Sequence, residues 1–313
     1  MGANMKKRYK CKQCYAINID NYDFCVSCGA PLKRPKSTLF RVVFQVLGLM
    51  GFYLGLQTLF GVIVTIPVVY RNINSIEIVD GLAIFSHFSD AILIAATLSA
   101  LIFIAIVGIY YYRRRHSVKP LYRFDQIRFS HIFWASVMGF GCIFLSQIII
   151  NVSEAVGILN MESMEGFEEL MALMFGQSPV WLILLAVGIV APIAEELLFR
   201  GLIFHLLNRH LNIKVALILQ GVLFGLFHMN LVQGVYASVL GVVLGIAYIL
   251  TGSLWVPIVI HIVNNSVAIF LPEAWMNEPV LYAFLLSLML LVPLGVWALY
   301  RTNSKKFILD LNA

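Results

Sequence analysis

Apolar runs of about twenty residues recur along most of this chain, and no other feature limits its fold as strongly. A helix of about 20 apolar residues is long enough to cross the hydrocarbon core of a bilayer. Eight such runs fall near residues 39–66, 90–112, 131–151, 180–208, 213–229, 232–250, 254–271 and 280–300. Lipid offers no hydrogen bonds, so a crossing segment must satisfy its own backbone, which a helix does. The expected fold is therefore an all-α polytopic membrane protein, with about eight transmembrane helices in a bundle. The composition agrees, since 60% of residues are hydrophobic and 12% charged, a balance that excludes a soluble domain. No internal repeat or low-complexity tract is visible. The polar, cysteine-bearing N-terminus does not read as a cleavable signal peptide, so the first run is expected to act as an uncleaved anchor.

Charge gives the orientation. With the N-terminus inside, only Arg71 of the 22 lysines and arginines falls in an outer loop, whereas ten of the 16 acidic residues do. Positive residues mark the cytosolic side, so a multi-pass protein of the cell membrane is expected, with both termini cytosolic. The net charge of +6 then follows from topology and from contact with anionic lipid headgroups. Nucleic acid is not an expected partner.

Ahead of the first run lies a polar head, residues 1–32, joined by a basic linker at 33–38 to the membrane body of 39–301; a cytosolic tail follows at 302–313. The head contains Cys11 and Cys14, then Cys25 and Cys28, two C-x-x-C pairs separated by ten residues. Such pairs close a tetrahedral four-cysteine zinc site. A head this small buries too little core to fold alone, and zinc binding would supply the missing free energy. Two disulfides are the alternative, disfavoured on the reducing cytosolic side. A zinc ribbon is thus expected, serving a cytosolic partner that the sequence does not identify. Cys142, alone in an apolar run, reads as a small core residue.

Polar residues inside the apolar runs carry the functional signal. An ionisable side chain near the bilayer centre costs roughly 2.5–3.5 kcal/mol on insertion scales and normally faces protein or water. Glu195, Glu196 and Arg200 share one run, His228 lies at the end of the next, and His261 and Asn265 share a third. At about 1.5 Å per residue, Glu195 and His228 each lie roughly 21 Å from the inner end of their run. His261 and Asn265 lie roughly 12 and 18 Å from theirs. The four come out at comparable depth. Glu196 and Arg200 are spaced i,i+4 and can pair along one helix face. Glu195 points about 100° away from Glu196 and is left free for chemistry. A buried carboxylate beside imidazoles makes a tunable base for a water molecule.

The segments EELLFR, FGLFH and HIVNN, in that order and behind the lead TGSLWVP, resemble the three motifs of the CPBP family. This is the CAAX-protease and bacteriocin-processing group of intramembrane endopeptidases, also called Abi. The resemblance covers a core of about 180–271. It implies a helical bundle with a catalytic cavity inside the membrane, where Glu195 activates water with help from His228. His261 and Asn265 would stabilise the oxyanion or orient the water, and Glu196 and Arg200 would support the site. Implied substrates are membrane-associated proteins or peptides; eukaryotic members cut after a prenylated cysteine, and many bacterial members are linked to bacteriocin self-immunity. Two histidines and a glutamate are also a possible zinc ligand set, so a catalytic metal stays open, with the glutamate–water reading preferred. A non-catalytic immunity or scaffold protein that binds a peptide with the same pocket is the competing class. A transporter is a third, although the internal repeats common there are lacking. The outer segment 161–178 has helical apolar spacing and an acidic opposite face, and is expected to lie on the bilayer surface in preference to gating the site.

Overall fold

The structure is a computed structural model that describes residues 8–11, 17–19, 25, 39–72, 88–118, 124, 127–175, 178–271, 283 and 287–302. In the head, β1 (Arg8–Lys10) pairs antiparallel with β2 (Ile17–Ile19), Lys10 opposite Ile17. Cys11 directly follows β1 and is buried, as is Cys25. Cys14 and Cys28 lie outside the described residues.

The body is helical. In chain order it comprises α1 (Leu39–Asn72), α2 (Ser89–Val118), α3 (Phe129–Ala155) and the shorter α4 (Met161–Phe175). There follow α5 (Val180–His210), α6 (Ile213–Phe227), α7 (Leu231–Thr251), α8 (Trp255–Ala268) and α9 (Leu291–Thr302). Among the described residues, α1, α2, α3, α5 and α7 are long and apolar enough to cross a membrane. The segments Ile213–Phe227, Trp255–Ala268 and Leu288–Thr302 are apolar but shorter. Each of these eight overlaps one of the eight expected runs, the last of which, 280–300, lies partly outside the described residues; by length, five qualify as spans.

Local chemistry sets the helix ends. Asn212 caps α6 by accepting from the Lys214 N–H at 2.8 Å, and Asn230 caps α7 by accepting from Gln233 at 3.1 Å. At the end of α7 Gly252 takes the left-handed conformation, φ 63°, and its N–H returns to the Tyr248 carbonyl. Glycine adopts this conformation without the Cβ clash that other residues meet. It is the middle residue of the Thr251-Gly252-Ser253 turn leading into α8.

Packing concentrates around α5 to α8. The α6–α7 pair is brought together by small residues, and a Cβ added at Gly241 would stand 2.8 Å from the Gly221 Cα. Backbones this close are the usual means of helix association in lipid, where burying apolar surface gives no net gain. By contrast α1 is mostly exposed. Its buried stripe is Val42, Val46, Met50 and Tyr53, while Phe40, Phe44, Leu47 and Ile63 are open, as suits a helix facing lipid.

Helix α4 has no buried residue, and its apolar face is only partly covered by protein. Its start is fixed by Asn160, whose Oδ1 accepts from the Ser163 N–H at 2.9 Å. Met164 and Phe167 pack against Ile150, Leu159 and Val232, and Phe175 packs beside Leu182 and Ile183. Part of the apolar face that would lie on the bilayer is therefore taken up by the ends of α3, α5 and α7. Cys142 is buried in α3, in the cluster that α3 forms with α7 and α8.

Candidate active site

Helix α5 carries the two glutamates between two π-helical stretches, Leu184–Val190 and Leu197–Ile203. A π turn closes i→i+5 hydrogen bonds and shifts the angular phase of the residues beyond it; such turns are frequent at functional sites. Glu196 is fully buried, and its Oε1 accepts from the Arg200 Nη1 at 2.6 Å. The other guanidinium arm donates to the Gly241 carbonyl on α7 at 2.8 Å, which also accepts from Gln220 Nε2 at 2.7 Å. Arg200 further lies over the Phe224 ring, its Cζ 4.8 Å from the centroid. The charge is thus held by an ion pair, a carbonyl and a ring, which offsets the desolvation that a buried arginine suffers.

The imidazole of His261, on α8, links the two carboxylates. Its Nδ1 is 3.0 Å from Glu196 Oε1 and its Nε2 is 3.7 Å from Glu195 Oε2. A carboxylate accepts, so the short contact assigns the proton to Nδ1 and turns Nε2 towards Glu195. The longer gap exceeds direct hydrogen-bond range and suits two atoms that share one water. Exposure separates the carboxylates: the Glu195 side chain is 14% exposed and that of Glu196 0%. Glu195 is the one a water can reach.

His228 caps the C-terminus of α6, with Nδ1 2.9 Å from the Phe224 carbonyl, a contact that assigns a donated proton to Nδ1. Met229 follows in the left-handed conformation, φ 51°, which reverses the chain within one residue. A non-glycine side chain there is strained, and such strain collects near functional sites. The Phe224 ring meets His228 edge-on at 5.1 Å and His261 at 5.7 Å. The F-x-x-x-H spacing therefore has a physical meaning here: one residue supplies a wall for both imidazoles and the carbonyl that orients one of them.

Asn265 sits one turn beyond His261 but turns to α5. Its Nδ2 donates to the Val187 carbonyl at 3.0 Å, and its Oδ1 accepts from Asn264 at 2.9 Å. The structure thus brings Glu195, Glu196, Arg200 and His261 into one cluster, with His228 beside it across Phe224. Several participants were not singled out by the sequence reasoning. Gln220 is one, an amide in an otherwise apolar helix and so a visible signal. Tyr53 on α1 and Tyr236 on α7, both within electrostatic reach of Glu195, are others that membrane-helix tyrosines give no reason to select. Among the described residues, no group of three from His, Cys, Asp and Glu is placed to hold a metal ion.

Residues 177–267 match the family described as "Rce1-like: Type II CAAX prenyl endopeptidase Rce1-like". That segment covers α5 to α8 and contains all six motif residues. The chain is also similar to a Bacillus subtilis (strain 168) protein named "Putative membrane peptidase YdiL". The two are 29% identical over 147 residues, 47% of this chain and 58% of that relative, so the match spans little more than half the relative's length. No solved structure matches. The long apolar helices and the Rce1-like segment together describe a multi-pass membrane protein.

Proposed function

We propose that this protein is an intramembrane endopeptidase that hydrolyses a peptide bond in a membrane-associated protein or peptide, with Glu195 as the base. The carrying observation is the pair Glu195 and His261, 3.7 Å apart, in which Glu195 is the only glutamate of the two open to water. A water held there gives a proton to Glu195, and its oxygen attacks the carbonyl carbon. The C–N bond then breaks, and the proton passes from Glu195 to the leaving amine. Glu196 fixes the His261 ring through Nδ1, and Arg200 keeps Glu196 ionised and in place. His228, on the other side of the Phe224 ring from His261, assists the water or the oxyanion. Preorganised polar groups in a low dielectric are the main source of catalysis in such a site. The match to the Type II CAAX prenyl endopeptidase family over residues 177–267 supports the reaction class. Membrane proteomes of cells with wild-type and Glu195→Ala protein test the reading: a precursor should accumulate in the variant. Identical proteomes would remove it.

The head is proposed to bind one zinc through Cys11, Cys14, Cys25 and Cys28. Supporting this, the sequence between β1 and β2 carries the first C-x-x-C pair, and Cys11 and Cys25 are both buried. The full chain should carry one zinc more than a chain starting at Lys36, measured by elemental analysis. Equal zinc contents would refute the ribbon.

Both termini are proposed to be cytosolic, on the charge distribution. Reporters fused after residues 120 and 305 should read cytosolic and one near 165 external. A cytosolic reading at 165 would invert the scheme.

A further inference from the structure

Pro192 leaves a gap in the α5 backbone, and α8 fills it. The Ala191 N–H reaches back five residues to the Ala186 carbonyl, a π step. The next step of that ladder would run from residue 192 to the Val187 carbonyl, but proline has no N–H to donate. A helix carbonyl left without a partner away from water is costly. Val187 instead accepts from the Asn265 side chain at 3.0 Å, and its neighbour Gly188 accepts from the Ser266 hydroxyl at 3.2 Å. The absence of a side chain at Gly188 makes the approach possible, since a Cβ there would stand 2.8 Å from Ser266 Oγ. Two consecutive carbonyls of α5 are thus served by two consecutive side chains of α8. Glu195 lies about two turns further along α5, and His261 about one turn back along α8.

The geometry points to Asn265 as a positioning residue that supplies the ladder donor Pro192 lacks, with Ser266 beside it on Gly188, and so holds the stretch of α5 leading to Glu195 against the helix carrying His261. This rests on the proposed peptidase reading, and gives Asn265 a role through α5 instead of on the substrate. It also explains why a proline sits three residues before a catalytic glutamate. Without an internal donor, this turn of α5 is set by its neighbour, which carries the other half of the site.

A double-variant cycle in the full chain separates the possibilities. Asn265→Leu keeps the volume and removes the donor; Pro192→Ala restores a backbone N–H, which the π step aims at Val187. Alone, Asn265→Leu should shift the folding equilibrium of the detergent-solubilised protein by roughly tenfold, the loss of one hydrogen bond to a part-buried acceptor. It should also reduce the processed fraction of the accumulating precursor by a similar factor. In the Pro192→Ala background the same substitution should cost about twofold or less in both readouts. Ser266→Ala, whose acceptor is Gly188, should gain little from Pro192→Ala. Equal losses from Asn265→Leu in both backgrounds would overturn the inference. An activity loss that persists while stability is rescued would likewise overturn it, and would return Asn265 to the substrate. The stability arm needs no substrate. A failure of the peptidase reading, seen as unchanged proteomes in Glu195→Ala, is therefore distinguishable from a failure of this inference.

Discussion

Replacing Glu195 by glutamine is expected to reduce cleavage of the precursor by roughly 10²–10⁴-fold, the usual contribution of a positioned general base, with membrane insertion intact. Glutamine keeps the shape and a hydrogen-bonding carbonyl but cannot take a proton from water. The amount of folded protein should change little, because Glu195 is the more open of the two glutamates and does not form the short ion pair. His261→Ala should fall comparably, since it removes the group that shares the water with Glu195 and releases the Glu196 contact at 3.0 Å. His228→Ala should also abolish processing. These losses would be read as processed fraction at equal protein level. A Glu195→Gln protein that processes normally would leave the pocket a structural or peptide-binding feature, as an immunity or scaffold protein would use it.

The second large effect concerns folding. Arg200→Ala removes the guanidinium that lies 2.6 Å from Glu196, with both side chains sealed from solvent. Breaking one partner of a buried pair costs about 3–5 kcal/mol, because the other charge is left uncompensated. Domains are stable by only about 5–15 kcal/mol, so most of the protein should be lost from the membrane. Two further contacts go with it, the bond to Gly241 and the stacking on Phe224. The combination Glu196→Gln with Arg200→Met should recover much of the folded protein. Neither position is then charged, and the amide carbonyl introduced in place of the carboxylate can still accept from His261. Accumulation of Arg200→Ala at wild-type levels, measured by quantitative blotting of membranes, would show that the pair does not support the fold.

These expectations draw on different depths of reading. The long helices are legible because their length and apolarity are dictated by the bilayer. The Glu196–Arg200 pair follows from i,i+4 spacing, and the meeting of α5 with His261 was suggested by depth counted along separate runs. What spacing alone could not give is the bridging role of His261. A regular helix holds Glu195 and Glu196 about 100° apart, which assigned one to structure and the other to chemistry. The α-helical segment Ala191–Glu196 keeps that angle, yet the two nitrogens of one imidazole face the two carboxylates, at 3.0 Å from Glu196 and 3.7 Å from Glu195. Likewise, Asn265 projects from the same side of α8 as His261, yet its amide serves a carbonyl exposed by Pro192. A missing N–H has no partner visible in a sequence, since its substitute comes from a helix 73 residues later. Helix α4 shows the same limit: its amphipathic pattern fits lipid and protein equally, and only the fold shows Val232 beneath Phe167.

The central claim is that Glu195 activates water for peptide hydrolysis without a metal ion at the site. It is tested most directly by incubating the precursor with purified protein starting at Lys36, which lacks the cysteine head, in liposomes with and without o-phenanthroline. The account predicts cleavage by this protein that the chelator does not reduce, and none by its Glu195→Gln variant. Cleavage by Glu195→Gln at the unsubstituted rate, or its complete loss with chelator alone, would contradict it.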